Sequence, residues 1–295
     1  MLKKISLLLV CLFSLGWSVV NAAEPAPESK EMTVEEFVAS LHFQQGQIVL
    51  PGGIATLNIP DSFRYLDPSD TEGVLVQAWG NPSGKGTLGM LFPANVGVAS
   101  DDSWGVVITY EEDGYVSDKD ADSIDYDDLL KTMKERIAEQ NEERKNQGYE
   151  TIELVDWAAK PHYDKAAHKM YWAKEIAFGQ ATEHTLNYNI RVLGRKGVLV
   201  LNAVSAISQF ETVEKEMAQV LAFTDFNSGY RYADFDSKTD KTAAYGLAAL
   251  VAGGVAAKAG LFGKLFVVLL AAKKLIFAGV IGIGALLLRF FKKNK

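Results

Sequence analysis

The chain has 295 residues, a net charge of −7 and 48% hydrophobic residues, enough for one or two domains with a sizeable core. One cysteine, Cys11, excludes a disulfide framework and a cysteine-ligated metal. The acidic balance repels phosphate backbones, which argues against a nucleic-acid partner.

Charge and hydropathy are distributed unevenly. Met1 to Ala22 has the three parts of a secretory signal: Lys3 and Lys4, an apolar run from Ile5 to Val20, and the small-residue exit Val20-Asn21-Ala22. Cleavage before Ala23 leaves a mature chain without a thiol; the alternative is an uncleaved anchor, for which the segment is short. Val10 and the early position of Cys11 argue against a lipoprotein signal. Residues 23–32, with Pro25 and Pro27, read as a linker.

Thr33-Val34-Glu35-Glu36 is a capping-box start for a short helix carrying Phe37, Val38 and Leu41 on one face. Gln47 to Leu50 and Ile54 to Ile59 read as strands joined by Pro51-Gly52-Gly53. Asp67-Pro68 opens a second helix with a capping carboxylate and a proline in the first turn, and Gly80-Asn81-Pro82 ends it. Strands follow at Thr87 to Phe92 and Trp104 to Glu111, and Asp113-Gly114 turns the chain. Tyr126 to Gln147 is a charged helix with Leu129, Leu130, Met133 and Ile137 facing one way.

Four strands come next, at Ile152 to Trp157, Lys169 to Phe178, Thr185 to Leu193 and Val198 to Ser205. The last two are joined by the turn Gly194-Arg195-Lys196-Gly197. Ile207 to Phe223 is an amphipathic helix with Phe210, Val213, Met217, Val220 and Leu221 inward. Runs of strands with helices between them predict an α+β fold: one domain over residues 33–236, a mainly antiparallel sheet, about three helices and roughly eight strands.

Candidate chemistry is sparse. Asp118, Asp120 and Asp122 match the first, third and fifth positions of a calcium loop, but Ser123 and Leu129 stand where glycine and glutamate are needed. The plainer reading is a solvated loop in which Asp125 caps the next helix. His42, His162, His168 and His184 lack helical metal spacing, although His162 and His168 flank a turn and could meet. Gly84-Lys85-Gly86-Thr87 has neither the first glycine nor the following helix of a phosphate loop. Trp79, Trp104, Trp157, Trp172, Tyr163, Tyr171 and Tyr188 are sheet packing or, alternatively, the lining of a shallow ligand groove. Arg191 and Arg195 are expected to pair with carboxylates. No cofactor motif is present in the sequence.

From Lys241 onward there are nine Lys or Arg and no Asp or Glu. Removing these and Lys3 and Lys4 from the net −7 leaves −18 on residues 5–240. Residues 242–291 form an apolar anchor with candidate spans at 243–263 and 275–291, flanked or interrupted by Lys258, Lys273, Lys274 and Arg289. The basic tail 292–295, with Lys292 and Lys293, closes the chain. One span or a helical hairpin both fit, with the C-terminus inside or outside accordingly.

The series Trp79-Gly80-Asn81-Pro82, Asp113-Gly114-Tyr115-Val116, Tyr126-Asp127-Asp128-Leu129-Leu130 and Leu186-Asn187-Tyr188-Asn189-Ile190-Arg191-Val192-Leu193-Gly194-Arg195 carries a resemblance. With Tyr230-Arg231-Tyr232-Ala233-Asp234-Phe235 and Asp240-Lys241, it resembles the bacterial domain-of-unknown-function family 2167. The resemblance covers nearly the whole mature chain. It implies a signal peptide, an envelope domain and a C-terminal membrane anchor, and carries over no catalytic residue.

The expected function is a non-enzymatic binding or scaffold module on the periplasmic side of the bacterial inner membrane. Its expected partners are the lipid bilayer and an envelope protein. The alternative is an envelope hydrolase or metal-assisted enzyme built from scattered Asp, His and Arg.

Overall fold

A computed structural model describes residues 32–81 and 86–253. Helix α1 (Val34–Ala39) starts at the expected capping box: the Thr33 hydroxyl accepts from the Glu36 amide, and the Glu36 carboxylate accepts from the Thr33 amide. Strands β1 (Gly46–Val49) and β2 (Ala55–Ile59) pair antiparallel across the Pro51–Gly53 turn. Strand β3 (Phe63–Leu66) follows. Helix α2 (Pro68–Gly73) is capped by the Asp67 carboxylate and runs on into a π turn, Val74–Ala78.

Strands β4 (Thr87–Pro93), β5 (Gly105–Glu111) and β6 (Tyr115–Ser117) precede the long helix α3 (Tyr126–Asn146). Asp125 caps α3 as expected, accepting from the Asp127 and Asp128 amides at 3.0 Å each. Four strands follow: β7 (Ile152–Asp164), β8 (Lys169–Phe178), β9 (Thr185–Leu193) and β10 (Val198–Ala206). After them come helix α4 (Phe210–Ala222), strand β11 (Thr224–Phe226), strand β12 (Thr242–Gly246) and helix α5 (Leu247–Ala252).

The architecture is α+β, as expected. The main sheet has seven antiparallel strands in the order β3-β4-β5-β10-β9-β8-β7. A small antiparallel sheet, β1-β2-β11, and the parallel pair β12-β6 complete it. The described residues hold five α-helices and twelve strands, more than the sequence predicted. The unforeseen strands are 3 to 5 residues long. So short a run shows too little alternation to stand out from a loop.

Strand alternation gives the main sheet two different faces. On the first, Ile108, Ile190, Leu199 and Leu201 pack against Val213, Met217 and Val220 of α4 and Leu57 of the small sheet. On the second, two separate apolar clusters form. Leu66, Met90, Phe92 and Val204 pack with Trp79 and the α2 region at the β3 end. Met170, Trp172, Ile176 and Leu193 pack with Met133 of α3 and Leu247, Leu250 and Val251 of α5 at the β7 end.

The C-terminal boundary differs from expectation. The predicted domain stopped at residue 236 and the first candidate span began at 243. Instead, β12 pairs with β6, and Leu247, Leu250 and Val251 are 0–3% exposed in the domain core. The apolar character of 243–252 is therefore spent on this protein's own core rather than on a bilayer. Among the described residues no helix is long and apolar enough to cross a membrane. The signal at 1–22, most of the linker and the remainder of the anchor, 254–291, lie outside the described residues, as does the basic tail.

Candidate functional site

The three candidate metal ligands take separate roles. Asp118 accepts from the Tyr163 hydroxyl at 2.8 Å and lies 3.8 Å from His168 Nδ1. Asp120 accepts from the Leu247 and Ala248 amides at 3.1 and 3.3 Å, so its carboxylate caps α5. Asp122 is exposed. Among the described residues no group of three His, Cys, Asp or Glu is placed to hold a metal.

The histidines also scatter. His42 meets Asp70, His184 meets Glu175, and His162 stacks on Tyr171. His168 alone joins a cluster: it stacks at 4.1 Å on Tyr232, which stacks on Tyr115, which stacks on Phe235. This ring column clamps the 232–235 segment against the β7-β8 turn. Burial pushes the Tyr163 and Tyr232 hydroxyls up, and their hydrogen bonds to Asp118 and Tyr115 push them further in the same direction. Such phenols stay protonated and serve as structural donors, not as bases.

The aromatic set divides sharply. Trp79, Trp104, Trp157, Trp172 and Tyr188 are all buried at 9% exposure or less, which makes them core; Tyr163 and Tyr171 are half-buried. Arg195 binds Asp240 in two-point fashion at 2.7 and 3.0 Å, the pairing expected of it. Arg191 behaves differently. It is 5% exposed, and its guanidinium lies 5.0 Å from the Trp172 ring centre. Of the glycine-lysine stretch 84–87, Thr87 opens β4 rather than a helix, and residues 82–85 lie outside the described set. Lys258, Lys273, Lys274, Arg289, Lys292 and Lys293 also lie outside it.

Arg191 belongs to the most unusual feature of the fold: a polar strip across the second face of the main sheet, between its two apolar clusters. The strand register builds it. Lys174 lies opposite Asn187, Asn189 lies opposite Asn202, and Val200 lies between Arg191 and Thr109, with Thr109 facing Thr87. Glu111 closes the far end of the strip, where Leu193 and Val198 pair. Asn187, Asn189 and Asn202 are 1–2% exposed, and Thr87 and Thr109 are 7% exposed. Lys174 and Glu111, at opposite ends, are half-buried.

The asparagines form a relay. Arg191 Nη1 donates to Asn189 Oδ1 at 3.5 Å, Asn189 Nδ2 donates to Asn187 Oδ1 at 2.9 Å, and Asn187 Nδ2 donates to Asn202 Oδ1 at 2.6 Å. The relay ends on Asn202 Nδ2, which is buried without a partner, as are Thr109 Oγ1 and Trp172 Nε1 nearby. A buried, unmet amide or hydroxyl costs roughly 1–3 kcal/mol, so a folded protein keeps one only where something else satisfies it. Electrostatics agrees. Burial, reinforced by the neighbouring Arg191 charge, lowers the Lys174 ammonium to about 8. Burial raises the Glu111 carboxyl, against the opposing pull of Arg191. Two cations and one carboxylate thus share a desolvated strip in an otherwise acidic protein.

The sequence carries a signal for this site. In Leu186-Asn187-Tyr188-Asn189-Ile190-Arg191 the polar residues recur at every second position, as one polar face of a strand. A strand buried on both faces should be apolar throughout.

The family signature of proteins of unknown function, DUF2167, matches residues 42–284. The chain belongs to that family. Comparison with curated proteins gives no significant match. Among solved structures, it is similar to cyanobacterial PsbP (CyanoP) from Synechocystis sp. PCC 6803, with 12% identity and a TM-score of 0.34 over 64% of this chain and 94% of that one. It is also similar to the Ran-binding protein Mog1p of Saccharomyces cerevisiae, with 12% identity and a TM-score of 0.32 over 67% and 100% of the two chains. LpqN of Mycobacterium tuberculosis, described as involved in cell envelope biogenesis, shows 14% identity and a TM-score of 0.30 over 66% and 97%. These likenesses are too distant to carry function.

Proposed function

We propose that this member of the DUF2167 family is a binding module of the bacterial cell envelope, tethered at the inner membrane with its folded domain on the periplasmic side. The observation that carries the binding reading is the buried polar strip, with Asn202 Nδ2, Thr109 Oγ1 and Trp172 Nε1 left without partners. Groups of this kind on a rigid sheet are preorganised for recognition. The enzyme alternative looks for convergence of His162, His168 or the Asp118 to Asp122 run on one concave pocket; Asp118 and His168 meet at the Tyr163 hydroxyl, whereas His162 stacks on Tyr171 and Asp120 caps α5.

Sequence supports the address. The signal-like segment 1–22, the apolar residues 254–291 and the basic tail fit export followed by anchoring. Because 242–252 belongs to the domain, the tether begins after Gly253.

Two measurements test the reading. The full chain should sediment with membranes after a carbonate wash, and a chain ending at Gly253 should be released; release of both removes the tether. Native mass spectrometry of the full chain, extracted in mild detergent, should show a retained molecule or envelope protein that Asn202→Leu loses. No bound species in either form would sink the binding module.

A further inference from the structure

The middle of the strip is shut off from solvent: Val200, Asn187, Asn189 and Asn202 are 0–2% exposed. The last folded segment of the described chain, β12 and α5, lies against one end of it. Tyr245 of β12 reaches the Glu111 end, where its hydroxyl donates to Asp113 at 2.9 Å and interacts electrostatically with Glu111 and Arg191. Leu247, Leu250 and Val251 of α5 share a cluster with Leu193 and Val198, and Val198 pairs with Glu111 in the sheet.

This segment is firmly held at its start and lightly held beyond. Asp240 is gripped by Arg195 at 2.7 and 3.0 Å, and the Lys241 carbonyl accepts from the Tyr115 amide at 2.8 Å. After Lys241, β12 meets β6 through two registered pairs, Thr242 with Tyr115 and Gly246 with Ser117, with an irregularity between them. Helix α5 has 6 residues, too few to persist as a helix by itself. The Asp120 carboxylate seats it, and does so because position 246 is glycine: a Cβ there would lie 2.5 Å from Asp120 Oδ2. Segments with so few attachments are the ones that open locally while a core stays folded. We propose that β12 and α5 form a gate, pivoting at Lys241, that uncovers the Glu111–Arg191 end of the strip while the main sheet stays folded. Its role as an entrance rests on the reading of the strip as the binding site, and it places that entrance beside the start of the tether.

The test uses the full chain in mild detergent, with Cys11→Ser removing the native thiol and iodoacetamide as the probe. Val200 lies on the strip between Arg191 and Thr109, and Ala203 faces the other side of the same strand; both are 0% exposed. Val200→Cys should be labelled at least about tenfold faster than Ala203→Cys, because the second needs the sheet itself to open. Tyr245→Phe removes a hydrogen bond to a carboxylate and should speed labelling of Val200→Cys about tenfold. Hydrogen exchange gives a second measurement that needs no cysteine: the Leu247 and Ala248 amides should exchange faster than those of Ile190 and Leu201, and faster again in Tyr245→Phe.

Equal labelling of the two cysteines overturns the gate, as does exchange at Leu247 and Ala248 no faster than at Ile190, since the segment then opens only with the whole domain. So does fast exchange in the segment while Val200→Cys stays unlabelled, or labelling indifferent to Tyr245→Phe: the segment then moves without uncovering the strip. Should a cysteine variant prove misfolded by circular dichroism, the exchange comparison decides. No ligand takes part, so failure here separates from failure of the binding reading. A gate that opens in a protein retaining no molecule keeps the gate and removes the binding module; a retained molecule beside a segment that never opens locally does the reverse.

Discussion

Leu250→Ala tests where the folded domain ends. Leu250 is 3% exposed and packs with Met133, Ile176 and Val251 in the cluster beneath α3. Truncating a leucine so buried costs about 2–5 kcal/mol, from lost transfer energy and the cavity left behind. The lower half of that range applies, because α5 spans only 6 residues and stands at the end of the described chain, where it can relax into the gap. A loss of about 2.5 kcal/mol corresponds to roughly 5–10 °C in the thermal midpoint of a domain this size.

The assay is unfolding of the full chain in mild detergent, followed by the fluorescence of Trp157 and Trp172 in the same cluster. Hydrogen exchange at the Leu247 and Ala248 amides, both held by Asp120, reports local release of α5. Were residues 243–263 a membrane span, the substitution would leave the domain untouched. A midpoint change under about 0.5 kcal/mol with unchanged exchange, alongside a full loss for Ile176→Ala, would refute the packing argument.

Three further outcomes follow from single side chains. Asp120→Ala removes the α5 cap and should cost about 1 kcal/mol in chemical unfolding, with faster exchange at Leu247 and Ala248. Gly89→Ala places a Cβ 2.2 Å from the Tyr65 ring at a backbone φ of +123°, so a loss of about 3 kcal/mol or failure to accumulate is expected on expression and melting. Lys174 titrates in the folded state near 8, below its ordinary 10.5, so the folded protein sheds this proton first. Its buried charge therefore costs stability in full below about 8, that cost is relieved as pH rises from about 8 to 10.5, and Lys174→Met should flatten the rise of the melting midpoint with pH between 8 and 10.

Local rules in the sequence carried most of the main sheet and helices. Thr33, Asp67 and Asp125 capped their helices as read, because a cap is settled within three residues. Strands β8 and β9 fell where alternation put them, and the 194–197 turn closed as a hairpin, with the Gly194 amide donating to the Gly197 carbonyl at 2.8 Å. Alternation also contained the Asn187, Asn189, Arg191 stripe. What the stripe meant stayed hidden, since a polar strand face is ordinarily the wet face.

By itself the sequence determined the α+β class, the acidic domain, its family resemblance and the chemical character of every segment. Only the tertiary structure decided two matters. It assigned residues 242–252 to the domain, because an apolar run looks the same whether lipid or a neighbouring sheet will bury it. It also set Lys174, Asn202 and Thr109, from three strands distant in sequence, into one buried strip, because strand order and register are made by long-range pairing that no local pattern records.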